Sequence, residues 1–126
     1  MEHPVTLTTM NNLGSTYLKQ GRTKDAEELL RQVVESQKRV RGVEHPDTFM
    51  TMHNLASTYH AQRRAKEAEQ LQLQVVELTT RVLGLEHPHT LMAMVNLVSI
   101  KEAQLTLLEW IKRMLGVEHL ISLWRS

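Results

Sequence analysis

One tripeptide, Glu-His-Pro, recurs along this sequence at a constant interval of 42 residues. It occupies residues 2–4, 44–46 and 86–88. An ungapped alignment of residues 2–42 with residues 44–84 gives 24 identities in 41 positions, far more than chance agreement. Such a period is typical of repeat architectures, in which each copy is one supersecondary unit that buries its apolar face only by stacking on its neighbours.

Each complete copy has the pattern of two amphipathic helices joined by a turn. Pro46 suits the first turn of a helix, where its missing N–H would be unpaired in any case. Gly21 is expected to supply the turn between the two helices, and Thr23 is expected to cap the second one. Gly42 and Gly84 stand where a glycine commonly ends a helix. These signals predict first helices of about 15 residues and second helices of about 18.

The predicted fold class is therefore all-α, an α-solenoid of stacked helix-turn-helix repeats. A single domain of residues 1–126 is expected, with repeats at 2–42, 44–84 and 86–116 and a tail at 117–126. A coiled coil is disfavoured, because Pro and Gly recur with the period and interrupt any heptad seam. Apolar residues spaced by three and four predict the core. They are Phe49, Met52, Leu55, Ala56 and Tyr59 in a first helix, and Ala26, Leu29, Leu30, Val33, Val34, Val40, Ala68, Leu71, Val75, Leu78 and Val82 in the second helices.

The third copy is shorter than the other two. Asn54 and Gly84 are 30 residues apart, whereas the equivalent Asn96 and Gly116 are only 20 apart. The ten missing residues carried the end of the first helix and the turn. The sequence that remains therefore contains both helix patterns without the segment that joins them as a hairpin.

Two structures fit the shortened copy, a fused helix over residues 88–115 or a sharp corner at a capping box over residues 99–102. The fused helix is preferred, because a corner without a loop would strain the backbone. Its second half would then project with an apolar face uncovered, which a second copy of the chain could cover as a homodimer. Alternatively, the same residues pack on the second repeat as an end cap. The residues expected at a self-association contact are Leu105, Leu108, Trp110, Ile111 and Leu115.

Composition disfavours several functions. Fifteen Lys and Arg against fourteen Asp and Glu give a net charge of +1, without the basic excess expected for binding nucleic acid or anionic membranes. The sequence has no cysteine, which excludes disulfides and thiolate metal sites and fits a reducing compartment. No apolar run approaches the roughly 18 residues that span a bilayer. A cytoplasmic protein is expected.

The histidines and serines do not have the pattern of a metal or catalytic site. His3, His45 and His87 repeat with the period, so they should form a column instead of converging on one ion. We expect the Glu-His-Pro segments to form the turns between repeats, with His or Glu accepting from free N–H groups of the next helix. Ser15, Ser57 and Ser99 are equally periodic, unlike a catalytic serine that occurs once beside its base. No enzyme activity, cofactor or metal is expected.

Small and aromatic residues also recur at fixed positions, and in the first copy they are Leu13, Gly14, Tyr17, Gly21, Ala26 and Leu30. Together these positions resemble the signature of the tetratricopeptide-repeat family over about residues 2–99. The 42-residue length and the segment 81–91 are similar to the longer variant of this repeat in kinesin light chains and fungal NOD-like receptor arrays. The second copy departs from the signature where Arg63 replaces the turn glycine and Gln72 replaces a large apolar residue.

The resemblance implies a right-handed superhelix whose first helices line a concave groove for a peptide or partner protein. Chaperone-binding members hold a terminal carboxylate with a Lys and Asn pair. Here Asn11 and Ser15, then His53 and Ser57, occupy those positions, so chaperone-tail binding is not expected. The groove residues that the resemblance implies are Thr8, Asn11, Ser15, Leu18, Lys19, Met50, His53, Ser57, His60, Ala61, Met92, Val95 and Ser99.

Two functions remain open at this point. Asn, Ser, His and Met side chains in a groove suit hydrogen bonding to an extended backbone together with soft apolar contact, as in peptide recognition. The alternative is a self-assembly unit that dimerises or swaps domains, or a remnant of a longer array without its own ligand. The partner is expected to be a protein or peptide in the first case and another copy of the chain in the second.

Overall fold

The fold is a series of helices, each packed against the next along the chain. It was obtained as a computed structural model, which describes the backbone of residues 4–114 and the side chains of residues 6–102. Successive first helices, α1 with α3 and α3 with α5, also contact each other. The described residues contain no strand, so the all-α prediction is confirmed. The helices are α1 (Pro4–Lys19), α2 (Thr23–Val40), α3 (Pro46–Ala61), α4 (Ala65–Leu83) and α5 (Pro88–Met114).

The helix boundaries follow the Pro and Gly signals of each repeat. The first helices α1 and α3 have 16 residues each, and the second helices α2 and α4 have 18 and 19. Gly21, Gly42 and Gly84 all have positive φ, between +79° and +95°, as their predicted turn and helix-end positions require. The prediction for Thr23 was wrong. Thr23 is the first residue of α2, and the cap position is Arg22, whose side chain makes no capping hydrogen bond.

The core lies between the two helices of each hairpin and between neighbouring hairpins. Most of the predicted apolar positions are buried, among them Leu30 on α2 and Phe49 on α3. Val40 and Val82 are exposed instead, because each lies in the last turn of its helix, where the chain leaves the hairpin. Some polar residues are also buried, although the apolar pattern did not predict them. They are Gln37, Thr48, Thr51, Thr58, Gln72, Thr79 and Thr90.

The buried threonines show how a polar residue fits this core. Thr51, Thr58 and Thr79 each donate the side-chain hydroxyl to the carbonyl four residues earlier in the same helix, at 2.7–3.0 Å. Their hydroxyls are thereby satisfied locally, and the methyl groups are left to pack. A threonine can therefore occupy a buried position where neighbouring repeats approach each other.

The third repeat is one continuous helix, α5, which extends for 27 residues to Met114. The fused helix is thus confirmed, and the alternative of a corner at residues 99–102 is wrong, since Ser99 lies inside the helix. Ile100 takes the place of Thr58 in the repeat, and both side chains are fully buried. The side chains of Leu105, Leu108, Trp110 and Ile111, and all of Leu115, lie outside the described residues.

Candidate peptide-binding surface

The predicted groove residues lie on the three first helices, and none of them is buried. Asn11, Ser15 and Leu18 on α1 are partly buried, as are Met50, His53, Ser57 and His60 on α3. The remaining predicted positions are exposed, and they are Thr8, Lys19, Ala61, Met92, Val95 and Ser99. We use the term first-helix face for this set of residues.

A hydrogen bond between two asparagine side chains joins α1 to α3 at the first-helix face. Asn54 donates Nδ2–H to Oδ1 of Asn11 at 3.1 Å. The bond joins two residues 43 positions apart in the sequence and is partly buried. It fixes the orientation of the Asn11 side chain, so that this predicted groove residue is already ordered before any ligand arrives.

A second polar network, centred on Gln72, joins α3, α4 and α5. The Gln72 side chain is fully buried. Its Nε2 donates to the backbone carbonyl of Ala93 at 2.9 Å, and its Oε1 accepts from Nδ2 of Asn96 at 2.9 Å. The same Nε2 lies 3.4 Å from Nδ1 of His53. Gln72, which departs from the family pattern, therefore joins the second and third repeats through its hydrogen bonds.

The surroundings of His53 favour the neutral form of its imidazole. Burial lowers the pKa of His53 from its ordinary value of 6.5. Because Nδ1 faces the amide donor of Gln72, that nitrogen accepts and Nε2 carries the proton. A neutral imidazole with an Nε2–H group is a hydrogen-bond donor suited to a backbone carbonyl.

At the other end of α3, an ionic cluster ties the first repeat to the second. Arg64 Nη1 lies 2.8 Å from Oε1 of Glu27, which also accepts from Nε2 of Gln62 at 3.1 Å. The hydrogen bond from Arg64 holds the pKa of Glu27 below its ordinary value. The next junction has a counterpart, since Glu69, 42 residues after Glu27, pairs with Lys101 at 2.7 Å. Lys101 thus replaces the turn arginine that the third repeat lacks.

The periodic histidines serve the turns between repeats. Nδ1 of His45 accepts from the backbone N–H of Asp47 at 3.1 Å, and Nδ1 of His87 accepts from the N–H of His89 at 3.1 Å. This confirms the predicted role for these two, while His3 lies outside the described residues. Among the residues that the structure describes, no group of three or more His, Cys, Asp or Glu side chains is placed to hold a metal ion.

A surface depression of about 400 Å³ lies away from the first-helix face. It is lined by residues of α2 alone, namely Lys24, Glu27, Glu28, Arg31 and Gln32. The lining mixes both charges and contributes to the junction with Arg64 through Glu27. We therefore assign it to the packing of the repeats and not to ligand binding.

Stacked helical hairpins with a repeating internal junction define a helical-repeat scaffold. The tetratricopeptide-repeat model matches residues 5–78 and again residues 47–105. The chain belongs to the tetratricopeptide-repeat family, as its sequence pattern predicted. Proteins of this family generally mediate protein–protein interactions.

Two solved structures are similar to this chain over most of its length. One is a Podosopora anserina protein described as a kinesin light chain with nearly identical TPR-like repeats, with 35% identity and a TM-score of 0.76. The match covers 86% of this chain and 52% of that one. The other is a glutamine-to-methionine variant of that protein, with 32% identity, a TM-score of 0.72 and coverage of 99% and 59%. This chain thus spans little more than half of the length of either structure.

No curated protein matches the sequence. In the part of the chain that the structure describes, none of the helices combines the length and the apolar character needed to cross a bilayer.

Proposed function

We propose that this chain binds an extended peptide segment of a partner protein along the first-helix face, which α1, α3 and α5 present as a concave groove. One observation carries the proposal. Asn11, His53 and Val95 occupy the same position in three successive repeats, and all three remain accessible although the helices that bear them pack together. A row of accessible side chains at repeat spacing suits a ligand that runs across the repeats.

The chemistry of the face supports a peptide as the ligand. Asn11 is oriented by Asn54, and His53 offers an Nε2–H donor, so both can bond to the backbone of an extended chain. On α5 the exposed side chains of the face include the apolar Met92 and Val95. The face therefore changes from polar to apolar between the first and third repeats. We expect a ligand with backbone contacts at one end and an apolar side chain at the other.

The test begins with random dodecapeptides displayed on phage and selected on the intact chain. The selected peptides are labelled, and their affinities are measured by fluorescence anisotropy. Asn11→Glu and Ser57→Glu place a carboxylate on the face and are expected to weaken binding at least about tenfold, equivalent to about 1.4 kcal/mol. Circular dichroism verifies that each variant is folded.

Matched controls carry the same change on the second helices. Gln32 on α2 and Gln74 on α4 are exposed, and Gln32→Glu and Gln74→Glu are expected to leave the affinity within about twofold, since an exposed charge outside the site contributes little. Selected peptides that bind the face variants as tightly as the native chain would show that the site lies elsewhere.

A further inference from the structure

The first half of α5 exposes an apolar stripe of three residues, two of which take positions that are buried in the complete repeats. Leu91 is 50% exposed and Val98 is 53% exposed, whereas the equivalent Phe49 and Ala56 of the second repeat are 1% and 0% exposed. Val95, between them, is 65% exposed. The three residues are spaced by four and three, so they share one face of the helix. We call them the α5 stripe.

The complete repeats show what normally covers these positions. A Cβ added at Gly14, the equivalent of Val98 in the first repeat, would lie 2.6 Å from Cδ2 of Leu30 on α2. His53, the equivalent of Val95, lies against Gln72 on α4. Both positions therefore face the second helix of their own repeat. In the third repeat α5 continues to Met114 instead of turning back, so none of the described residues forms a second helix of this repeat in that place.

Parts of the sequence of a second helix are nevertheless present in the third repeat. Residues 101–103, Lys-Glu-Ala, repeat residues 66–68 at the beginning of α4. Residues 113–119 agree with residues 81–87, the last residues of α4 and the turn that follows, at five of seven positions, after a further gap of three residues. The second half of α5 thus begins with the sequence that begins α4, and the match resumes at Arg113. This half cannot reach the α5 stripe of its own chain, because a continuous helix holds the two halves end to end.

We propose that the second half of α5, residues 101–114, packs on the α5 stripe of a second copy, and that the exchange is reciprocal and gives a domain-swapped dimer. Deletion of a hairpin turn is a known route to such an exchange, because each segment then meets its usual partner in another chain. We choose a second copy as the occupant because a second helix covers the equivalent face in each complete repeat. Residues 101–114 stand in the place of that helix in the sequence of the third repeat. The proposal does not rest on a peptide ligand, but the dimer would cover Val95, which would then contribute to the first-helix face only in the monomer.

The complete repeats also fix the expected register. In the first repeat, Gly14 faces Leu30, which is four residues after Ala26. Ala103 is the equivalent of Ala26, and the residue four positions later is Leu107. In the dimer, Val98 should therefore lie against the partner's Leu107, and the two long helices should cross near residues 101–103.

The first measurement is the mass of the full chain by sedimentation equilibrium at micromolar concentrations. A dimer has twice the 14.6 kDa of one chain. Val98→Glu places a charge on the α5 stripe and is expected to shift the mass to that of the monomer. Leu85→Glu is the matched control, since Leu85 is 62% exposed in the turn before α5, and this variant is expected to remain dimeric.

Two further experiments separate the exchange from other kinds of self-association. Insertion of a second copy of residues 58–64 between Ser99 and Ile100 restores the turn, and is expected to give a folded monomer. Because the chain has no cysteine, Val98→Cys in one copy and Leu107→Cys in another should form an intermolecular disulfide when the mixed chains are oxidised by dissolved oxygen. A native chain that is monomeric at high micromolar concentration would overturn the proposal, as would a dimer that survives both Val98→Glu and the restored turn.

Discussion

Gly14 in the middle of α1 provides a sharp test of the packing within a hairpin. An alanine in place of glycine within an exposed helix usually stabilises it by about 1 kcal/mol. Here the added Cβ would lie 2.6 Å from Cδ2 and 2.7 Å from Cγ of Leu30, a fully buried side chain. Overpacking of a core costs about 1–3 kcal/mol. We therefore expect Gly14→Ala to lower the free energy of unfolding by about 1 kcal/mol, after the gain in helix propensity is subtracted.

The second repeat explains why the crowding is specific to Leu30. At the position of Gly14 it has Ala56, and facing it, in place of Leu30, it has Gln72, which has no branch at Cγ. Leu30→Ala removes the Cγ and both Cδ atoms that crowd the new methyl group, at a cost of about 2–5 kcal/mol when made alone. In the double variant the overpacking cost of about 1–3 kcal/mol should largely disappear, so the two changes should couple favourably by about 2 kcal/mol.

Urea unfolding followed by circular dichroism measures all three free energies, and the thermal midpoint should fall by about 4 °C for each kcal/mol lost. Ala56→Gly is the control, because it lies in the other hairpin and should add to Leu30→Ala without coupling. If Gly14→Ala raises the stability by about 1 kcal/mol, or if its effect adds to that of Leu30→Ala, Leu30 does not crowd this position.

Three other predictions concern single residues. Arg63 is an exposed residue with φ of +62°, a conformation that costs most residues about 1 kcal/mol. Arg63→Gly should therefore raise the urea midpoint. A lower midpoint would contradict this prediction. Gln72→Leu removes the partner of Asn96 and should cost about 1–3 kcal/mol by the same assay, whereas a neutral result would show that the buried amide network is not stabilising. Because the folded pKa of His53 lies below the ordinary 6.5, the unfolded chain binds more protons in that range. The contribution of His53 to the free energy of unfolding should therefore be fully present above about pH 6.5 and decrease as the pH falls below it. The free energy of unfolding should fall more steeply in the native chain than in His53→Gln. Equal slopes for both proteins would rule out His53 as the cause.

The repeat period was sufficient to predict the fold because every boundary has a local cause. Pro46 and Pro88 begin helices, and Gly42 and Gly84 end them, whatever the rest of the chain does. The prediction for Thr23 failed because it rested on a single residue type. The equivalent residue of the second repeat is Ala65, which cannot cap, and both residues begin their helices.

The polar network around Gln72 could not be predicted from the sequence. Its partners His53 and Asn96 lie 19 and 24 residues away on two different helices. Only the stacking of the repeats brings them within hydrogen-bond distance. By contrast, a local count of missing residues was enough to predict the continuous α5. The accessible positions of the first-helix face followed from the family resemblance, but a groove that fits many peptides does not identify its partner.

We propose that the first helices, and not the second helices, bind the ligand. Chemical-shift mapping of the ¹⁵N-labelled chain with a peptide selected from the phage library checks this proposal. We expect the shifted amides to cluster on α1 and α3 around Asn11 and His53 and to continue to Met92 on α5. Shifts confined to α2 and α4, with these residues unaffected, would contradict the proposal.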